Sequence, residues 1–200
     1  MFIAGIILLI FLIILRSYTL LLFSIFLIVL SFNNSLASKL RKIKLSPRLK
    51  FIILGLITGI LTEILAIIDN LQVSPDKKAL FSPDPFLNIF IGLGYYFIFF
   101  LIWSFLLNRY KYSLLEAFVI AGIFGLIVEQ NASILLSFNF LAWIYVFLVH
   151  ASILSIPLSI LIKEQKGNKK SYFLKYILAI VLPLLSLLGA ILLQLLISHI

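Results

Sequence analysis

The chain has no cysteine, which excludes disulfides, thiolate catalysis and every cysteine-based metal site. Charge is also scarce. Of the 200 residues, 12% are charged and 64% apolar, whereas a soluble domain carries roughly 25% charged residues. That leaves too little polar side chain to cover a surface in water. The sequence contains no Walker loop, no His-Glu-x-x-His, no Gly-x-Ser-x-Gly and no Asp-rich pair for magnesium–diphosphate chemistry. The paired Glu-Glu of some intramembrane proteases is missing too. No pattern specifies a cofactor, and one histidine with two glutamates falls short of a metal site in ligand count and spacing. Segments of alternating polarity, which a membrane β-barrel requires, do not occur.

What the chain does have is long apolar runs separated by short basic patches, the signature of helices in lipid. The expected fold is therefore all-α: a polytopic transmembrane bundle of about seven spans, forming a single membrane domain over residues 1–200. The net charge of +9 follows the same plan. Thirteen of the sixteen Lys and Arg residues fall in 39–50, 109–111 and 163–175, each beside an apolar span, where positive charge kept on the cytoplasmic side sets orientation. The expected partners are membrane lipids, with an apolar substrate or a cation as candidate ligand, and not nucleic acid. The N-terminus, Met1-Phe2-Ile3-Ala4, has no basic leader region and reads as a membrane segment rather than a removable signal. A cell membrane, with a prokaryotic plasma membrane favoured, is the expected location.

Residues 2–15 are apolar, Arg16-Ser17-Tyr18 interrupts, and apolarity resumes to about 32. As one helix this stretch would be about 46 Å long against a hydrocarbon core of roughly 30 Å. The expectation is an N-terminal hairpin over 2–37 turning near Arg16, although no Gly or Pro marks the turn. A single tilted helix would give six spans instead. Residues 38–50 form a basic connection in which Ser46-Pro47 is a good helix opening. Further spans are expected at about 51–69, 84–108, 113–136, 140–162 and 172–197, the last kinked at Pro183. A first Ser-Pro-Asp at 74–76 could open a short surface helix and a second at 82–84 the fourth span. Loops 38–50, 109–112 and 163–171 then share one side, and 70–85 and 137–140 the other. With the hairpin, the N-terminus is cytoplasmic.

Charged groups at membrane depth are expensive, roughly 2.5–3.5 kcal/mol each on insertion scales, so Glu63, Glu129 and His150 are the candidate catalytic residues. Glu116 is read as structural, because Ser113-Leu114-Leu115-Glu116 fits a capping box. Asp69, Asn70 and Asn88, at helix ends, are read as solvated. Gly55-x-x-x-Gly59-x-x-x-Glu63 is echoed by Ala121-x-x-x-Gly125-x-x-x-Glu129. Each places two small residues on the helix face that leads to a glutamate. This suggests two related hairpins, 51–108 and 113–162, of a style found in transporters. If the stripes face each other, Glu63 and Glu129 would share a cavity and titrate as a pair, with Gln130, Asn131, Tyr95 and Tyr96 around it. Two active functions fit: an intramembrane enzyme using these acids on a lipid or isoprenoid, or a small proton- or cation-coupled transporter. A scaffold or accessory subunit without catalysis is the third.

Overall fold

The computed structural model describes residues 1–71, 80, 82–128, 139–167 and 173–198. Glu129, Gln130, Asn131, the Ser-Pro-Asp at 74–76 and the end of the fifth span lie outside the described residues. Every regular element among the described residues is a helix. The elements are α1 (Phe2–Ile14), α2 (Leu21–Arg41), α3 (Pro47–Asn70), α4 (Pro85–Arg109), α5 (Leu114–Val128), α6 (Phe140–Leu161), α7 (Phe173–Val181) and α8 (Ser186–Ser198). Five helical stretches are long and apolar enough to cross a membrane: α2, α3, α4, α6 with its continuation to Glu164, and the α7–α8 rod over Phe173–Ile197. The apolar helices α1 and α5 are shorter over their described residues.

The hairpin at the N-terminus forms, and its turn is made without glycine. Arg16 adopts the left-handed conformation at φ 55°. Its N–H donates to Ile13 O at 3.1 Å while the Ser17 N–H donates to Leu12 O at 3.0 Å. This is a Schellman closure of α1, with an arginine where the sequence offers no Gly. The helix that follows runs further than expected, through Ser38 to Arg41. Nothing between 33 and 41 breaks it, and Lys39 and Arg41 in its last turn suit the negative end of the helix dipole.

Other boundaries follow local chemistry. Ser46 Oγ accepts the Leu49 N–H, Asp84 the Leu87 N–H and Asn139 the Ala142 N–H, so each caps its helix, with Pro47 and Pro85 in the first turns. Ser113 and Glu116 form the expected reciprocal box: Ser113 N–H to Glu116 Oε2 at 2.7 Å and Glu116 N–H to Ser113 Oγ at 3.1 Å. At Pro183 the last helix narrows into a 3-10 turn, Leu182–Leu185, between α7 and α8. A second proline, Pro157, sits inside α6.

Helix α6 is central. It packs against α2, α3 and α5, and residues 151–161 are all buried. Helix α1 lies on α2, while α4 bridges α3 and α8. Small polar residues are buried beside the apolar core, and large apolar ones face outward. Ser24, Thr58, Thr62, Ser152, Ser155 and Ser159 are buried, while Ile57, Phe97, Phe105, Ile144, Ile191 and Leu192 face outward. Small polar residues between helices and large apolar ones outside are what lipid selects. At one point, α4 and α8 meet backbone to backbone. A Cβ on Gly94 would stand 2.6 Å from Gly189 O, so only glycine permits this crossing.

Candidate functional site

Apart from His150 and the small hydroxyl residues between helices, the polar contacts fall toward the two ends of the bundle. At one end Asp69 closes the N-terminal hairpin. Its carboxylate accepts the Tyr18 and Thr19 N–H groups, both at 2.7 Å, together with the Thr19 hydroxyl and, at 3.3 Å, the Tyr145 hydroxyl. Asn70 is buried and donates to Ala66 O at 2.8 Å. Solvation therefore does not explain these residues. The helix end they occupy is covered by the α1–α2 turn, whose free N–H groups need an acceptor.

Glu63 and Asn88 lie on facing helices. Glu63 is 6% exposed and Asn88 fully buried, and Asn88 Nδ2 donates to Glu63 Oε2 at 2.6 Å. Asn88 Oδ1 accepts the Ser82 N–H at 3.3 Å, tying the chain before α4 to the same amide. Gly92 makes room, since a Cβ there would meet Glu63 Cγ at 2.8 Å. Asn88, read from the sequence as solvated, is thus a partner of the buried acid. A short polar side chain one turn into α4 gives no hint in sequence that α3 brings a carboxylate to it.

The small-residue stripes turn out to face their neighbours in sequence. Gly55 lies against the Phe100 ring and Gly59 against Tyr96, both on α4; Gly125 lies against His150 and Gly122 against Phe147, both on α6. Ala121 is buried. Tyr95 and Tyr96 are buried, in edge contact at 5.1 Å. His150 Nδ1 lies 3.1 Å from Val146 O on its own helix. Ser152 donates to Leu148 O, whereas the buried Ser155 Oγ has no hydrogen-bond partner among the described residues.

At the opposite end the three basic segments converge. Gln165 pairs with the backbone of Tyr112 through two hydrogen bonds of 3.0 Å, and Lys163 reaches Asn34 at 3.2 Å. Lys175, 2% exposed, donates to Glu116 Oε1 at 2.8 Å and Lys111 O at 3.1 Å. Its ammonium also lies 5.0 Å from the Tyr112 ring centre and 4.8 Å from that of Tyr176. Tyr112 is buried and donates to Lys175 O at 3.0 Å. Burial pushes its phenol well above the usual tyrosine range, so it stays a neutral donor. From sequence, Lys175 is one more member of the basic cluster at the start of the last span. Its burial depends on the α5–α7 contact, which no local pattern encodes.

Between these segments lies a cavity of about 360 Å³, within the roughly 300–1,000 Å³ of small-molecule sites. Its apolar lining comes from Phe51, Leu107, Leu158 and Leu161, and its charged lining from Arg48, Lys166 and Glu164. Ser46, the N-cap of α3, also lines it, so the positive end of that helix borders the hollow. Glu63, Tyr95, Tyr96 and His150 do not line it. Along α3, Glu63 is about 18 Å beyond Phe51 at 1.5 Å per residue. Of the cavity-lining residues that sequence reading did not single out, Arg48 and Lys166 were among the positive charges assigned to topology, and Glu164 belonged to no motif. No known protein family, curated protein or solved structure matches the chain.

Proposed function

We propose that the chain is a multi-pass membrane protein that binds a phospholipid, without catalysis, in the cavity at its basic end. The basic loops lie on the cytoplasmic side of a cell membrane. The long helices and α5 cross the bilayer, and α1 serves as a short seventh span. At 13 residues, α1 is about 20 Å long, and local thinning of the bilayer accommodates it. The observation that carries the reading is the cavity's two-part lining: aliphatic and aromatic side chains below, Arg48 and Lys166 with a helix N-terminus above. Basic pockets between membrane helices at the cytoplasmic face suit lipid phosphates, and helix N-termini favour anions. Native mass spectrometry of the detergent-purified protein tests it. Phospholipid should persist through delipidation and fall away in the Arg48→Gln/Lys166→Gln variant. Equal retention by the variant, or none by either protein, contradicts the reading.

A second reading keeps Glu63, Glu129 and His150 as the acid–base groups of an intramembrane enzyme for a lipid or isoprenoid. It is favoured by the position of α6, which carries His150 and packs against both α3 and α5. On this reading, Glu63→Gln or Glu129→Gln abolishes lipid turnover in reconstituted vesicles while the thermal transition stays in place. Unchanged turnover in both variants contradicts it.

A further inference from the structure

We propose that the phospholipid held at the basic end carries a primary amine in its headgroup, as in an ethanolamine phospholipid, with its ammonium on Glu164. This inference rests on the lipid-binding reading above. Arg48 and Lys166 alone would select any phosphate, but Glu164 lines the same hollow and changes what fits.

One carboxylate oxygen of Glu164, Oε1, is buried and has no hydrogen-bond partner among the described residues. Its position explains why. Glu164 closes the 3-10 turn after α6, at the end of the bundle where the other carboxylate, Glu116, is served by Lys175 and Tyr176. Glu164 has no such donor on Oε1, although two cations line the cavity with it. A buried acceptor left without a donor is unfavourable, more so when charged, and a ligand N–H⁺ supplies what is missing.

The chemistry sorts the common headgroups. Ethanolamine brings a phosphate for Arg48 and Lys166 and an ammonium with three donors for Glu164. Choline brings the same charges but no N–H. Glycerol brings hydroxyl donors without positive charge, and its phosphate leaves the carboxylate uncompensated. The acyl chains of all three suit the apolar lining equally, so discrimination falls on Glu164.

The test uses the full chain in nanodiscs of equal ethanolamine, choline and glycerol phospholipid with matched acyl chains, and native mass spectrometry reads the lipid retained on release. Soluble phosphoethanolamine is added in one arm to separate a lipid site from a site for the free headgroup. The wild type should retain the ethanolamine lipid over the choline lipid by at least about tenfold, the scale of one hydrogen bond to a charged group. Glu164→Gln should erase that preference with the thermal transition unchanged, and Arg48→Gln should lower retention of all three lipids together. Equal retention of ethanolamine and choline lipids by the wild type overturns the amine assignment while leaving lipid binding intact. Displacement of the lipid by micromolar phosphoethanolamine overturns the assignment to a lipid. Absence of any retained lipid overturns the underlying reading as well.

Discussion

At the scale of single residues, Glu63, Asp69 and Glu116 are each held by a different kind of partner, and that difference makes their roles separable. Glu63 has the Asn88 amide at 2.6 Å. Removing the amide takes a donor from a buried carboxylate, which costs about 1–3 kcal/mol or more. Asn88→Ala should therefore lower stability in detergent by that amount, whereas Glu63→Gln, which can still accept from Asn88, should lower it less; reversible unfolding in denaturing detergent measures both. If Asn88→Ala is neutral, the Glu63–Asn88 contact is not a fastener. Asp69 acts on backbone, accepting the Tyr18 and Thr19 N–H groups. Asp69→Ala should cost about 1–2 kcal/mol, as loss of a helix cap does, and should speed hydrogen exchange at Tyr18 and Thr19 ahead of the amides of α3. Sequence alone marked Glu63 as costly in lipid but not its partner, because the pairing joins positions 25 apart on two helices. It misjudged Asp69 and Asn88 for the same reason: a polar residue at a helix end looks solvated until the neighbour that covers it is known.

Among the elements, local signals were legible and relative placement was not. Ser46-Pro47, Asp84-Pro85 and Ser113 with Glu116 open their helices as their sequences imply, because capping needs only residues within one turn. The turn at Arg16 was located by its charge, though its left-handed backbone could not be read without a glycine to announce it. The paired stripes were visible as spacing. Which helices they serve was not: Gly55 and Gly59 admit Phe100 and Tyr96, and Gly125 admits His150. The crossing of α4 and α8 gives the sharpest test of this packing. With a Cβ on Gly94 only 2.6 Å from Gly189 O, Gly94→Ala must push two backbones apart. It should destabilise by about 1–3 kcal/mol, the usual range for overpacking. Disulfide trapping of a cysteine pair placed across that crossing reads the separation directly.

For the molecule as a whole, composition was enough to predict an all-helical bundle with apolar outer surfaces. The charge clusters predicted which ends belong together. Gln165 with Tyr112, Lys163 with Asn34, and the cavity shared by Arg48 and Lys166 bring those segments into one place. The hollow between them was not legible, since it is made by residues from α3, α4 and the end of α6 that share no motif. The bundle is polarised: the three basic segments and the cavity lie at one end, the Asp69 turn and Ser82 at the other. The absence of native cysteine allows a clean measurement of that polarity. Single cysteines at Lys44, Lys111 and Lys166, and separately at Ser17 and Asp84, can be labelled in intact cells with a membrane-impermeant maleimide. With the basic end facing the cytoplasm, the first three should react only after the membrane is opened and the last two should react from outside. Labelling of Lys44→Cys and Asp84→Cys from the same side would contradict it.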